Sequence, residues 1–159
     1  APANATLRTQ LAHAYRLAGD NKPALRQLDR AIEIAPLAPA PYIAKADLLL
    51  THGNADEAIA LLRRALERGT DPEARNMLGA ALAQKGDIGQ ALEEFRKAYQ
   101  LAPALPGLRD NIANALMDMH EYDRAQEFCS SARKSGMPCS RATLDRLGSD
   151  RSNTDKVSP

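Results

Sequence analysis

The sequence has few large aromatic side chains. Its 159 residues include no Trp, two Phe and four Tyr, whereas alanine occurs thirty times. Alanine is the best helix former, and its small side chain lets neighbouring helices approach closely. The composition therefore predicts helices packed through small side chains, with no large core built on aromatic residues.

The chain also lacks an excess of charge and any long apolar run. It has 21 basic and 20 acidic residues, a formal net charge of +1. Because nucleic-acid binding requires a pronounced basic field, we do not expect nucleic acid as a ligand. No run of about 18 apolar residues occurs, so we expect no membrane span. The sequence starts at Ala1 without a signal-like segment, which fits either a processed end or a fragment of a longer protein.

Motifs for catalysis are missing as well. His13, His52 and His120 are far apart in sequence, and no metal-binding His pair, Gly-rich dinucleotide motif or phosphate loop is present. Adjacent carboxylates such as Asp56 and Glu57 do not face each other on a helix, so they do not form a general acid and base pair. We therefore predict a protein that is not an enzyme and that binds no cofactor and no metal.

The chain does contain an internal repeat. Gly19, Gly53 and Gly86 are spaced 53 − 19 = 34 and 86 − 53 = 33 residues apart. A period near 34 residues, split into two helical halves, is a signature of a repeat architecture. In the clearest copy the pattern around the glycine comprises Leu78, Gly79, Leu82, Ala91, Phe95, Ala98 and Pro103.

With these residues the chain resembles the tetratricopeptide repeat (TPR) family, whose unit has preferred residues at positions 4, 7, 8, 11, 20, 24, 27 and 32. Residues 5–38 and 72–105 each match seven of the eight positions and depart only at position 4, where both have Arg. Residues 39–71 place Lys45 at position 7, which is normally a packing position. Residues 106–138 have His120 in place of the turn glycine.

The resemblance implies an all-α, right-handed α-solenoid of four helix-turn-helix units. We number them unit 1 to unit 4, with bounds 5–38, 39–71, 72–105 and 106–138. Arrays of this kind need a terminal cap with a polar outer face, and residues 139–148 are the candidate for a short capping helix that completes a solenoid over 1–148. Residues 149–159 are polar and without periodicity, and we expect a flexible tail or linker there.

The first helix of each unit in this family lines a concave groove, through positions 2, 5, 9, 12 and 13. We therefore expect a protein or peptide ligand in the groove and a non-catalytic scaffold function. The residues predicted to line it are Thr9, His13, Arg16, Ile43, Asp47, Leu50, Asn76, Ala80, Gln84, Asp110, Asn114 and Met117. Those we most expect to contact a partner are Arg16, Asp47, Asn76 and Asn114.

The chaperone-binding branch of the family clamps a C-terminal carboxylate with Lys, Asn and further basic residues. This chain has Thr9, His13, Glu73 and Met77 at those places, so we do not expect an Hsp70 or Hsp90 tail as its ligand. The branch found in sugar transferases and exopolysaccharide export favours Asn at position 6 of successive repeats, and only Asn111 matches.

Two interpretations of the cysteines stay open. Cys129 suits a small buried hydrophobic residue on a helix. Alternatively, Cys129 and Cys139 form a disulfide that joins unit 4 to the segment after Pro138, which would indicate an oxidising compartment. Two cysteines without further ligands do not predict a zinc site.

The Ala- and Arg-rich repeats, taken with this disulfide, favour a bacterial envelope or periplasmic assembly such as a pilus, secretion or polysaccharide-export system, while a cytoplasmic location stays open. One alternative is the interaction module of a larger enzyme, such as a glycosyltransferase or sulfotransferase. Another is a homo-oligomer formed through the convex face or an exposed end unit.

Overall fold

The described part of the chain is entirely helical. The computed structural model describes residues 2–67 and 69–154, and these form α-helices and no strand. The helices are α1 (Pro2–Leu17), α2 (Asn21–Ile34), α3 (Pro39–Thr51), α4 (Ala55–Leu66), α5 (Pro72–Gln84), α6 (Ile88–Leu101), α7 (Leu108–Asp118), α8 (Tyr122–Lys134) and α9 (Arg141–Thr154). The all-α helical repeat predicted from the sequence is confirmed. No helix within the described ranges is long and apolar enough to cross a membrane.

The helices form consecutive pairs that stack side by side. α1 packs on α2, α3 on α4, α5 on α6 and α7 on α8, and each first helix also contacts the first helix of the next pair. The turn inside each of the first three pairs contains a glycine with positive φ, 82° at Gly19, 77° at Gly53 and 88° at Gly86. His120 takes this place in unit 4 with φ 61°, a conformation that is strained for a residue with a Cβ atom. The same chain reversal therefore recurs in all four units.

Within each pair, position 8 of the first helix faces position 24 of the second. Units 1 and 2 combine Ala with Leu at these positions, whereas unit 3 combines Gly79 with Phe95. A Cβ atom added to Gly79 would lie 2.5 Å from Cε1 of Phe95. Glycine therefore makes room for the larger ring, and the pair fills about the same space as an Ala–Leu pair.

The buried side chains do not form one continuous core. A small cluster joins unit 1 to α3 and consists of Ala12, Ala24, Leu28 and Leu48. A larger cluster runs from Ala46 in unit 2 to Leu147 in α9. Apolar packing is therefore continuous from unit 2 to α9, whereas the small cluster that joins unit 1 to α3 is separate from it.

Lys45 lies at this division. Its Nζ atom is 3.0 Å from Oδ1 of Asp29 on α2 and 3.1 Å from Oε1 of Glu57 on α4. Burial lowers the pKa of Lys45, but the hydrogen bonds and charges of the two carboxylates outweigh it, so the net shift is upward. A polar cluster therefore connects units 1 and 2 where the family usually has an apolar residue.

The C-terminal segment differs from the prediction. α9 continues past residue 148 to Thr154, so residues 149–154 are helical and not a flexible tail. Contacts spaced three and four residues apart support this turn, since Oγ of Ser149 donates to the Arg146 carbonyl and Arg146 pairs with Asp150 at 3.3 Å. The remainder of the predicted tail, 155–159, lies outside the described residues.

Candidate functional site

Four predicted groove residues surround one pocket between α1 and α3. Thr9, His13 and Arg16 on α1 and Asp47 on α3 line a pocket of about 320 Å³. Its remaining lining is largely apolar and consists of Gln10, Ala12, Leu28, Ala44 and Leu48. The first helices of units 1 and 2 therefore form a pocket with an apolar floor and a polar rim.

The rim carries a loosely held ion pair. Arg16 Nε lies 3.9 Å from Oδ2 of Asp47, and Arg16 Nη2 lies 3.3 Å from Nδ1 of His13. The Arg16 and Asp47 side chains keep 35% and 48% of their surface exposed. Exposed pairs with such long distances contribute little to stability, so both groups can exchange this contact for one with a ligand. Thr9 is engaged locally, since its Oγ1 donates to the Ala5 carbonyl at 2.9 Å.

The middle of the predicted groove is more tightly bound into the fold. Nδ2 of Asn111 donates to Oδ1 of Asn76 at 2.8 Å, which links α7 to α5. Ile43 and Leu50 are half-buried and pack against the larger core. Ala80 and Gln84, in contrast, are exposed.

The predicted groove residues of unit 4 have contacts within the chain. Oδ1 of Asp110 accepts a hydrogen bond from the backbone N–H of Ser140 at 2.7 Å, and Oδ1 of Asn114 accepts one from Arg146 Nη1 at 3.1 Å. Met117 is 1% exposed. Met117 is therefore covered, Asp110 and Asn114 are engaged within the chain, and the predicted groove residues of α1, α3 and α5 have no contact with α9.

The position of α9 explains why these unit 4 residues have contacts within the chain. This helix packs against both α7 and α8, as the first helix of a further unit would. Arg146 also pairs with Asp118 at 2.5 Å, and this pairing raises the pKa of Arg146. No local pattern predicts these contacts, because Arg146 and its partners on α7 are 28 and 32 residues apart in sequence.

The two cysteines are joined in the structure. Cys129 on α8 and Cys139, just before α9, form a disulfide with their Cα atoms 5.6 Å apart. Both residues are also buried, and they pack with Ala113 and Phe128. The disulfide therefore attaches the start of α9 to unit 4.

Sequence analysis also missed part of the pocket. Gln10 and Ala44 line it, and both are at position 6 of their units, which sequence analysis considered only as a place for Asn. Ala12 and Leu28 were recognised only as packing positions. The lining residues come from α1, α2 and α3, so the pocket depends on three helices and not on one periodic pattern.

Comparison with known proteins identifies the family. A family model described as tetratricopeptide repeat matches residues 9–70 and 43–106, and a second model with the same description matches residues 82–147. The chain therefore belongs to the tetratricopeptide repeat family. No curated protein sequence matches it significantly.

Solved structures of TPR proteins share the fold. MamA superposes with a TM-score of 0.76 at 20% identity, over 82% of this chain and 77% of MamA. YrrB, described as a TPR protein with an unusual peptide-binding site, gives 0.71 at 20% identity, over 80% and 66%. The first TPR of Spaghetti (RPAP3), bound to the HSP90 peptide SRMEEVD, gives 0.73 at 13% identity, over 76% and 96%. Identities this low establish a common fold and nothing about ligands.

Proposed function

We propose that this protein is a non-catalytic interaction scaffold that binds an extended peptide or a segment of a partner protein along α1, α3 and α5. The observation that carries the proposal is the pocket between α1 and α3. Its apolar floor suits one aliphatic or aromatic side chain of a ligand, while Arg16 and Asp47 at the rim suit the ligand's main-chain or charged groups.

Two related folds support this assignment. YrrB has an unusual peptide-binding site, and the first TPR of RPAP3 binds an HSP90 peptide. The positions at which the family clamps a chaperone tail hold other residues here, including His13 and Glu73. The ligand we propose is therefore an internal segment anchored by an apolar side chain, and not a chaperone C-terminus.

The disulfide supports a location for this function. Disulfides persist in oxidising compartments and are rare in the cytosol. The bond between Cys129 and Cys139 is therefore consistent with a periplasmic or cell-envelope assembly, which we include in the proposal. Mass spectrometry of the protein from its native compartment, alkylated before reduction, tests this point, and two free thiols there would contradict it.

A peptide selection tests the binding site. Peptides selected from a random display library on the purified protein are measured by calorimetry against Asp47→Ala and against Ala44→Leu, which fills the pocket. We expect each variant to weaken binding about tenfold, or about 1.4 kcal/mol. Glu93→Ala, an exposed carboxylate on the second helix of unit 3, is the matched control and should bind normally.

Melting curves show whether each variant keeps its fold. The proposal is wrong if no peptide is selected, or if the selected peptides bind the two pocket variants as tightly as they bind the original protein.

A further inference from the structure

A second pocket lies between α6 and α8, the second helices of units 3 and 4. It has a volume of about 350 Å³ and shares no residue with the pocket between α1 and α3. We call it the arginine pocket, and its lining combines apolar and charged side chains, among them Ile112, Leu116, Tyr99, Phe128, Arg96 and Arg124. The aliphatic residues are buried, the two rings are half-buried and the arginines are exposed, so the pocket has an apolar base and a cationic rim. Units 1 and 2 precede it and α9 follows it, so it does not arise from an end of the chain.

The groove between units 1 and 2 shows which positions meet between two second helices. Asp29 is at position 25 of unit 1, and Lys45 and Glu57 are at positions 7 and 19 of unit 2. The Lys45 Nζ atom is 3.0 Å from the first carboxylate and 3.1 Å from the second. Positions 25 and 19 of neighbouring units therefore meet at the residue in position 7, where the chain itself supplies a charge of opposite sign.

The arginine pocket has the same three positions with the outer charges reversed. Arg96 is at position 25 of unit 3, Arg124 is at position 19 of unit 4, and Ile112 is at position 7 between them. Because Ile112 has no charge, this position does not supply the anion that two guanidinium groups would bind. The groove between units 2 and 3 places a single cation at the equivalent positions: Arg63, Leu78 and Gln90.

Neither arginine has an anionic partner among the residues that line the pocket. Arg124 pairs with Glu121 on its own helix, and 53% of the Arg124 side chain is exposed, so this pair contributes little to stability. Glu127 also lines the pocket, but within the described ranges neither it nor Arg96 forms an ion pair. The lining therefore has two cations and one anion, and a carboxylate placed between the arginines would gain charge-assisted hydrogen bonds.

We propose that the arginine pocket binds an acidic segment of a partner protein, with an Asp or Glu carboxylate between Arg96 and Arg124. The rings of Tyr99 and Phe128 are edge to face with their centroids 5.5 Å apart, and they provide an apolar surface for a neighbouring side chain of the same segment. Aromatic residues and arginine are the types enriched at the centres of protein interfaces, which favours a protein partner. Because this site is separate from the pocket between α1 and α3, one chain can hold two partners at once.

An NMR titration of the isotope-labelled 159-residue chain tests the proposal with blocked tetrapeptides as probes. The probes are acetyl-Gly-Leu-Glu-Gly-amide, acetyl-Gly-Phe-Glu-Gly-amide and the same two peptides with Gln in place of Glu. We expect the Glu peptides to shift the methyl signals of Ile112 and Leu116 with a dissociation constant of about 1 mM. The Gln peptides should bind at least about fivefold more weakly, because a neutral amide loses the charge-assisted hydrogen bonds.

Substitutions in the rim identify the groups that bind the carboxylate. Arg96→Gln and Arg124→Gln should each weaken binding of the Glu peptides about fivefold and leave the Gln peptides unaffected. Glu127→Gln removes the anion from the lining and should strengthen binding of the Glu peptides about twofold. Arg63→Gln removes the exposed arginine at position 25 of unit 2, so it is the matched control and should bind normally. All four side chains are exposed, and we expect these variants to fold.

Three results would overturn the proposal: no shift of the pocket signals up to about 10 mM peptide, equal binding of the Glu and Gln peptides, or normal binding by both arginine variants. Shifts confined to Ala44 and Leu48, in the pocket between α1 and α3, would also overturn it while supporting the first binding site. The two proposals can therefore fail independently.

Discussion

The two ends of this solenoid are built differently. At the N-terminal end, unit 1 shares only a small apolar cluster with α3 and meets unit 2 through the polar cluster of Lys45, Asp29 and Glu57. At the C-terminal end, apolar packing is continuous from unit 2 to Leu147, a disulfide fixes the start of α9, and α9 covers unit 4. The same repeat pattern therefore gives two different ends. We call the crosslinked end at α9 the closed end, and unit 1, which is attached through a partly polar interface, the open end.

This difference indicates where the array opens first. The stability of a repeat array is approximately a sum of unit terms and nearest-neighbour interface terms. Because the interface between units 1 and 2 is partly polar, we expect unit 1 to open more easily than the rest. The pocket between α1 and α3 spans this interface, so a ligand that fills it should also hold unit 1 in place.

The largest effect expected at the closed end comes from the disulfide. It closes a loop of 10 residues, and the substitution of Cys129 and Cys139 by Ala should lower the free energy of unfolding by about 2 to 3 kcal/mol, through a less restricted unfolded chain. Chemical denaturation measures the change, and hydrogen exchange should increase in α9 while α1 is unaffected.

Reductant provides the control for this variant. It should destabilise the original protein by a similar amount and leave the variant unchanged. Equal stability of the reduced and oxidised forms would show that packing of α9 alone closes this end.

A slightly smaller effect is expected inside the continuous core. Gly79→Ala places a Cβ atom 2.5 Å from the buried ring of Phe95, so it should cost about 2 kcal/mol by overpacking. Adding Phe95→Leu recreates the Ala–Leu combination of units 1 and 2 and should recover most of this loss in a double-mutant cycle.

Gly89→Ala is the matched control for this cycle. Gly89 lies in α6 with open space around its Cα atom, so this change should stabilise the protein by up to about 1 kcal/mol. If the effects of Gly79→Ala and Phe95→Leu simply add, the two positions do not share space as proposed.

Substitution of Lys45 changes the open end directly. Lys45→Ala removes the cation between Asp29 and Glu57, and because both carboxylates are about half exposed, we expect a loss of about 1 kcal/mol. Lys45→Leu introduces an apolar residue that can connect the two cores, so unit 1 should be at least as stable as in the original protein.

Hydrogen exchange in α1 and α2 distinguishes these outcomes, because it reports the opening of unit 1 separately from global unfolding. If hydrogen exchange in α1 and α2 is faster in Lys45→Leu than in Lys45→Ala, an apolar residue at this position does not connect units 1 and 2 better than the polar cluster. The comparison of the two ends then has to be revised.

Sequence patterns predicted the parts of this molecule that depend on local chemistry. The glycine spacing located three helix turns, because Gly19, Gly53 and Gly86 all adopt the positive φ that glycine permits. Lys45 was recognised as a departure from the family pattern, and it lies where the core divides.

Sequence patterns could not predict contacts between distant segments. Asp110 and Asn114 were assigned to the groove because the family pattern cannot show that α9 contacts them. Leu7 and Leu11 have the apolar spacing of a buried side, and this spacing is the same whether or not a neighbouring helix covers it.

The smallest effect expected is a dependence of unit 1 on alkaline pH. The pKa of Lys45 is reduced by burial but raised more by Asp29 and Glu57, so it lies above its ordinary value of 10.5 in the folded protein. A cation whose pKa is raised by folding stabilises the fold below the unfolded-state value, and this contribution disappears as the pH rises through the folded-state value. Hydrogen exchange in α1 and α2, corrected for the intrinsic rate, should therefore keep its protection up to about pH 10 and lose it as the pH rises above about 10.5, the ordinary pKa of lysine. In Lys45→Leu the site cannot titrate, and the loss should be smaller. If both proteins lose protection equally, other groups cause the pH dependence and Lys45 does not connect units 1 and 2.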